Sequence, residues 1–148
     1  MPPAPTLTID STAVANRLRP ALLRLSRELR REIHSLGVTG GQVSLLNQIQ
    51  RDPGVGVRDL AARERMSPAG MSKYVARLEQ AGLVHRTELA DRRRVGLELT
   101  GEGARVVASV KRRRTAWLAA RLRGLPPDEL EAIDAAVAPL LKLLEVEA

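Results

Sequence analysis

Apolar residues recur at intervals of three and four over much of the chain, which is the spacing of one face of an α-helix. In the N-terminal part this pattern joins Val14, Leu18, Leu22, Leu25, Leu29, Ile33 and Leu36. The spacing predicts a long amphipathic helix that ends at Gly37, with Pro20 either bending it or delaying its start. The segment before it, residues 1–10, opens with a Pro-rich stretch and is predicted to be a mobile arm.

Two shorter helices are predicted next. Thr39 is a candidate N-cap for a helix from about residue 40 to residue 49, which an Asp-Pro-Gly turn then ends. Residues 58–65 place Leu60 and Ala61 on the buried face of another short helix.

The following segment completes a helix-turn-helix. Ser67 and Pro68 are typical of an N-cap and a first helical residue, and Gly82 is typical of a C-cap. The predicted buried face of this helix consists of Met71, Val75 and Leu78. Two helices joined by a turn of three or four residues form a helix-turn-helix, so we expect one over residues 58–82.

Beyond it the pattern changes to that of strands. Residues 83–89 and 95–99 predict a hairpin around the highly basic residues 90–94, which is typical of a wing. Thr100 is a predicted cap for a helix towards Arg123, and Pro127 starts a last helix. The predicted buried positions of these two helices are Val106, Val107, Val110, Trp117, Leu118, Leu122, Leu130, Ile133, Val137, Leu140, Leu141 and Leu144.

These elements predict a mainly α fold with a small β wing. A winged helix-turn-helix would occupy residues 38–100, followed by a linking helix over residues 101–124, with terminal helices at residues 11–36 and 125–148. The terminal helices carry more leucine than one small domain can hide, so we expect them to form an intertwined homodimer interface. The predicted dimer contacts are Val14, Leu18, Leu22, Leu25, Leu29, Leu140, Leu141 and Leu144.

The charge of the chain favours a polyanionic partner. Net charge is +7, and 21 of the 24 basic residues are arginine, whose planar fork suits phosphate and guanine recognition. Residues 51–123 carry +9, residues 1–50 carry +3 and residues 124–148 carry −5. The basic block therefore spans the predicted helix-turn-helix, its basic hairpin and the following helix, and a polyanion would be drawn to this middle part of the chain, which favours nucleic acid as the partner.

Two segments resemble the multiple-antibiotic-resistance regulator (MarR) family of winged-helix repressors. Residues 60–84, LAARERMSPAGMSKYVARLEQAGLV, are similar to the family's helix-turn-helix and the start of its wing. Residues 91–103, DRRRVGLELTGEG, are similar to its wing, with the pattern Asp, any residue, Arg, then Leu-Thr and a later Gly. The chain departs from the family at Glu64 and Arg65, where leucine and glycine are more usual, and at Val57, where a capping residue is more usual.

The resemblance implies a homodimer whose recognition helices enter successive major grooves of an inverted repeat in double-stranded DNA, with each wing reaching the flanking minor groove. Arg93 matches the family's minor-groove arginine, and Asp91 would orient its guanidinium. Lys73 is the preferred base or phosphate contact of the recognition helix, and Arg77 would reach phosphate. The implied DNA-binding residues are Ser67, Pro68, Ala69, Gly70, Ser72, Lys73, Arg77, Arg92, Arg93 and Arg94.

The resemblance also implies release of DNA by a small-molecule effector, often an anionic lipophilic one, bound between the dimerisation helices and the winged domain. The sequence does not identify this effector. With no Phe and single Tyr and Trp residues, it predicts a largely aliphatic pocket in which Trp117 is the candidate ring and an arginine of the first helix pairs with the anion. The run Lys111–Arg114 is predicted to be a solvated helix face rather than a second DNA site.

Other chemistries find little support in the sequence. Cysteine is absent, and His34 and His85 are far apart, so neither a metal site nor a cofactor is predicted. The motifs of common nucleophilic, metal-dependent and phosphate-binding enzymes are missing, so we expect no enzyme activity. Without an apolar run long enough for a membrane span, the chain is predicted to be cytoplasmic. The leading hypothesis is a DNA-binding repressor, and the alternative is a helical interaction protein whose basic face docks an acidic protein.

Overall fold

The computed structural model describes residue 1, residues 8–88 and residues 95–145. This part of the chain contains six α-helices and one two-stranded sheet. They are α1 (Ser11–Arg31), α2 (Gly40–Arg51), α3 (Val57–Arg63), α4 (Pro68–Gln80), β1 (Val84–Glu88), β2 (Val95–Leu99), α5 (Gly101–Leu122) and α6 (Pro127–Lys142). The order confirms the predicted mainly helical fold with a small β wing.

The hydrophobic core belongs to the winged part of the molecule. It is built from α2, α3, α4, the sheet and the first half of α5, whereas neither α1 nor α6 contains a buried residue. The largest fully buried side chains are Ile33, Leu46, Ile49, Leu60, Met71, Leu78, Leu97, Val43 and Val75. The buried faces predicted for the third and fourth helices are therefore correct.

The first helix is shorter than its apolar spacing predicts. It ends at Arg31, and a 3-10 turn over His34–Leu36 follows. The prediction that it continues to Gly37 was wrong because Ile33 leaves the helix axis and is fully buried in the core of the winged part. Gly37 closes the turn at φ 73°, and Pro20 lies inside the helix without delaying its start.

The predicted caps of α2, α4 and α5 are all present. Thr39 forms a capping box with Gln42, in which the Thr39 hydroxyl oxygen accepts from the Gln42 amide at 3.1 Å and the Gln42 side chain accepts from the Thr39 amide at 3.0 Å. The N-cap of α3 is Gly56, not Val57, and it makes no side-chain cap hydrogen bond. Val57, where the family more often has a capping residue, is thus the first residue of the helix, and the cap before it has no side chain.

The junction of α4, the wing and α5 is closely packed. Thr100, the N-cap of α5, accepts from the Gly103 amide at 3.0 Å, and its hydroxyl donates to the Gly82 carbonyl at 2.6 Å. The Thr100 amide donates to the Leu83 carbonyl at 3.0 Å. Gly103 approaches the same carbonyl so closely that a Cβ there would lie 2.1 Å from its oxygen. The start of α5 is therefore fixed to the segment that follows α4.

The terminal helices leave apolar side chains uncovered in a single chain. Leu22 and Leu25 of α1 are 44% exposed, and Leu141 and Leu144 near the C-terminus are 57% and 85% exposed. The burial predicted for Leu130, Ile133 and Val137 on α6 is wrong for the isolated chain, since each is at least 40% exposed. Leu118 of α5 is likewise exposed, while Val107 and Val110 are buried as predicted.

Candidate nucleic-acid interface

The connection between α3 and α4 has the geometry of a Schellman motif. The Arg65 amide donates to the Ala62 carbonyl at 3.3 Å, and the Met66 amide donates to the Ala61 carbonyl at 2.9 Å. In this motif the residue after the C-cap adopts a left-handed conformation, and here that residue is Arg65, at φ 53°. Half-buried Met66 packs against the core and turns the chain into α4.

Helix α4 has one buried face and one exposed face. Ser67 caps it by accepting from the Gly70 amide at 3.1 Å, and Pro68 begins the first turn. Met71, Val75 and Leu78 anchor the helix in the core. The exposed residues among those predicted to contact DNA are Ser67, Pro68, Ala69, Ser72, Lys73 and Arg77, whereas Gly70 is half-buried.

Two cations on the exposed face of α4 are available to an external partner. In the described part of the chain neither Lys73 nor Arg77 takes part in an ion pair. Arg86 of β1 does, since its Nε lies 2.8 Å from Glu79 Oε1 at the end of α4. This pair ties the wing to the recognition helix and leaves Lys73 and Arg77 as the unpaired charges of this surface.

Sequence reasoning overlooked Tyr74. Its side chain is 39% exposed and lies on α4 between Lys73 and the buried Val75. The available signal was its position three residues before Arg77, which places both side chains on neighbouring parts of the helix surface. A tyrosine there can offer a hydroxyl to phosphate and a ring to a thymine methyl group.

The wing is positioned beside α4 by its strand pairing. β1 and β2 are antiparallel and in register from Val84 opposite Leu99 to Glu88 opposite Val95. Across them, His85 Nε2 lies 3.8 Å from Glu98 Oε2. The predicted tip residues Asp91, Arg92, Arg93 and Arg94 lie outside the described residues.

The basic run on α5 divides between two environments. Arg113 donates to the Ser35 hydroxyl at 2.7 Å, and Arg112 donates to the Ser109 hydroxyl at 3.1 Å, both at the surface. Arg114 is instead half-buried, and its Nε is buried without a hydrogen-bond partner. The prediction of a wholly solvated run was therefore wrong for Arg114, because the helix turns this residue towards α1 and α2.

Arg114 lines a cavity of about 510 Å³ between α1, α2 and α5. Burial, and to a smaller extent the nearby Arg30 charge, lower the pKa of Arg114 from its ordinary value. The cavity wall consists of Ser26, Leu29, Arg30, Gly40, Gly41, Ser44, Glu64 and Arg114. Two guanidinium groups, two hydroxyls and the Glu64 carboxylate line this cavity beside Leu29, and Trp117 is not part of it.

Trp117 has a different role. It is half-buried on α5, and the guanidinium carbon of Arg121 lies 5.1 Å from its ring centroid in a cation–π contact. The indole therefore packs against its own helix.

Within the described ranges, no group of three or more His, Cys, Asp and Glu side chains is placed to hold a metal ion. The helices of the same ranges include none with the length and apolarity needed to cross a membrane.

This chain is similar in sequence to known proteins. A family model described as the MarR family matches residues 36–94. The transcriptional regulator MT0903.1 of Mycobacterium tuberculosis, of the helix-turn-helix type, is 34% identical over 139 residues, which cover 93% of this chain and 97% of the relative. MdtR of Bacillus subtilis, a helix-turn-helix transcriptional repressor, is 29% identical over 76% of this chain and 74% of its own.

The same architecture is found in a solved structure. The YusO protein from Bacillus subtilis superposes with a TM-score of 0.72 and 26% identity, covering 88% of this chain and 94% of its own. The matched family consists of transcriptional regulators rather than enzymes. The resemblance seen in the sequence is confirmed, and the chain belongs to the MarR family as a DNA-binding transcriptional regulator.

Proposed function

We propose that this regulator is a repressor that binds an inverted repeat as a homodimer and releases it when a small organic anion binds. The observation that carries the proposal is the exposed face of α4, where Ser72 is accessible and neither Lys73 nor Arg77 forms an internal ion pair in the described part of the chain. The opposite face of this helix is buried in the core. That MdtR, a similar protein, is a repressor supports the direction of control. We infer that the protein performs no catalysis.

Each protomer would place α4 in the major groove, with the side chains of its first two turns on base edges and Arg77 on phosphate. In the first turn of α4, Pro68 has no amide hydrogen and the Gly70 amide donates to Ser67, so the Ala69 amide would be offered to the phosphate chain. The wing would follow the flanking minor groove, with Arg93 inserted, Arg92 and Arg94 beside it and Asp91 orienting the inserted guanidinium.

The uncovered faces of α1 and α6 would form the dimer interface. Leu22, Leu25 and Leu141 are too exposed for a stable monomer surface, and the two helices carry opposite charge. Between Ser11 and Arg31 there are six arginines and one glutamate, whereas α6 has four acidic residues and one lysine. Apolar contact and charge complementarity both favour packing of these helices against a second copy.

Selection of bound duplexes from a randomised pool by the purified protein at about 0.15 M salt tests the DNA proposal. We expect one inverted repeat with half-site centres about 10 base pairs apart. Lys73→Ala should weaken binding to that repeat and reduce its preference over mixed sequence. Lys111→Ala, which removes the same charge from the exposed surface of α5, is the matched control and should not. An unenriched pool, or equal effects of the two variants, would contradict the proposal.

Repression itself needs a transcription assay. A promoter that carries the selected repeat between its polymerase contacts should be transcribed less as wild-type protein is added, and Lys73→Ala should restore transcription. Increased transcription would make the protein an activator and refute this part of the proposal.

The effector would bind in the cavity that contains Arg30 and Arg114. The unpartnered Arg114 Nε and the mutual repulsion of two guanidiniums are both relieved by a carboxylate. Because the cavity lies between α1 and the winged part, an anion there would alter the angle between the dimer helices and α4. Glu64 also lines the cavity, and its carboxylate accepts a hydrogen bond from Gln48.

Benzoate is a suitable probe of this site, with inorganic phosphate as an anion that lacks an apolar body. We expect calorimetric titration to detect benzoate binding to wild type but not to Arg114→Met. Arg27→Met, which removes a charge one turn before Arg30 on α1, is the control. Benzoate should also weaken binding to the selected repeat for wild type and Arg27→Met, but not for Arg114→Met. Equal binding by the three proteins would contradict the assignment.

A further inference from the structure

We propose that Arg65, in the connection between α3 and α4, is a phosphate-contacting residue of the DNA interface. This inference rests on the DNA-binding mode proposed above and adds a residue that lies outside the recognition helix and the wing. The position precedes the N-cap Ser67 by two residues, so the side chain originates beside the first turn of α4. The argument combines its backbone conformation, its exposure and the absence of internal partners.

The backbone at Arg65 is one that glycine adopts far more easily. Among the described residues it is the only non-glycine residue with positive φ, whereas Gly37, Gly54 and Gly82 have the other positive values. A β-carbon in this conformation is crowded by the following carbonyl, so glycine would make the Schellman motif more stable. An arginine at this position therefore makes the fold less stable than a glycine would.

The Arg65 side chain forms no polar interaction within the described part of the fold. Arg65 is exposed, and in the described part of the chain its guanidinium takes part in no ion pair or side-chain hydrogen bond. Its neighbours differ in this respect. Arg63 Nη2 lies 2.7 Å from Asp52 Oδ2, and Glu64 accepts a hydrogen bond from Gln48. Arg65 is therefore the residue of this connection whose charge is left for an external group.

The external group that fits is a backbone phosphate. A strained residue whose side chain has no internal role is characteristic of a binding site. When α4 lies in the major groove, the phosphate chain at the groove edge passes the first turn of the helix, where backbone amides also attract anions. A guanidinium at this point can bind a phosphate through two parallel hydrogen bonds and would fix the depth at which α4 enters the groove.

Arg65→Gly separates this role from a structural one, because its effects on folding and on binding have opposite signs. Thermal unfolding should shift upward by about 1–4 °C as the strain is relieved. Binding to the selected repeat and to a mixed-sequence duplex of equal length should weaken by the same factor, since a phosphate contact carries no sequence information. The slope of log affinity against log salt should fall by about 1 for each protomer.

Arg65→Lys keeps both the charge and the strain and is the matched control. It should have the same melting temperature as wild type and retain most of the salt dependence of binding. Unchanged affinity and slope in Arg65→Gly would overturn the inference, and so would a loss confined to the selected repeat, which would indicate a base contact. Failure of wild type to enrich any duplex would refute the proposed operator, while the mixed-sequence duplex would still decide the role of Arg65.

Discussion

The junction between the recognition helix and α5 makes a sharp stability prediction at Gly103. A Cβ at this position would lie 2.1 Å from the Leu83 carbonyl oxygen and 3.1 Å from its carbon. Both are backbone atoms, so no side-chain rotation can relieve the overlap. Gly103→Ala must therefore move the start of α5 away from β1 by roughly 1 Å, given ordinary carbon–oxygen contact distances.

The magnitude follows from three contributions. Overpacking of a closed contact costs about 1–3 kcal/mol. The shift also weakens the hydrogen bond from the Thr100 amide to the Leu83 carbonyl, now 3.0 Å long, at about 1 kcal/mol. Replacement of a helical glycine by alanine returns up to about 1 kcal/mol. The net expectation is a loss of about 2 kcal/mol, or roughly 4–8 °C in melting temperature for a chain of this size.

Gly101→Ala is the matched control. It changes the same residue type in the same first turn of α5, but a Cβ at Gly101 meets nothing within 4 Å. Calorimetry or circular dichroism at equal protein concentration should find this variant as stable as wild type or slightly more so. If Gly103→Ala and Gly101→Ala have the same melting temperature, the close approach to Leu83 does not determine stability and the reasoning fails.

Three further predictions concern other parts of the molecule. Leu22→Asp should weaken the dimer at least about a hundredfold in sedimentation equilibrium, since it places a charge in the proposed interface of both copies; a dimer of unchanged affinity would exclude this helix from the interface. Thr39→Ala should lose about 1 kcal/mol in denaturant unfolding through loss of the capping box, while Thr115→Ala on the exposed face of α5 should lose little; equal losses would contradict the cap. Arg114→Met should unfold at the same or higher denaturant concentration than wild type, because it removes a desolvated cation near Arg30; clear destabilisation would reveal a structural role for the guanidinium.

The parts of the fold that local chemistry determines could be predicted from the sequence. Ser67, Pro68 and Gly82 delimit α4 because a hydroxyl cap, a fixed φ and a left-handed glycine act within a few residues of their own position. Thr39 and Thr100 act in the same way. The exposed face of α4 followed from the opposite buried face, since three core positions fix the helix orientation.

The features that the sequence did not predict depend on contacts between distant segments. The end of α1 depends on Ile33 entering a core built from residues much later in the chain. Arg114 is distinguished from Arg112 and Arg113 only by its orientation towards α1 and α2, which a run of like charges does not reveal. The presence of two arginines in one cavity has the same origin, because Arg30 and Arg114 are 84 positions apart in sequence.

The hydrophobic core is confined to the winged part, and the terminal helices α1 and α6 contain no buried residue. This separation affects how the protein responds to its own concentration. In the proposed homodimer, a protomer at low concentration would keep the folded winged part yet present a single recognition helix to the operator. Occupancy of the full site would then rise with roughly the square of protomer concentration until most protomers are dimeric. The promoter would respond steeply to small changes in the synthesis of its regulator, so a cell could pass between silence and expression by a modest dilution at division.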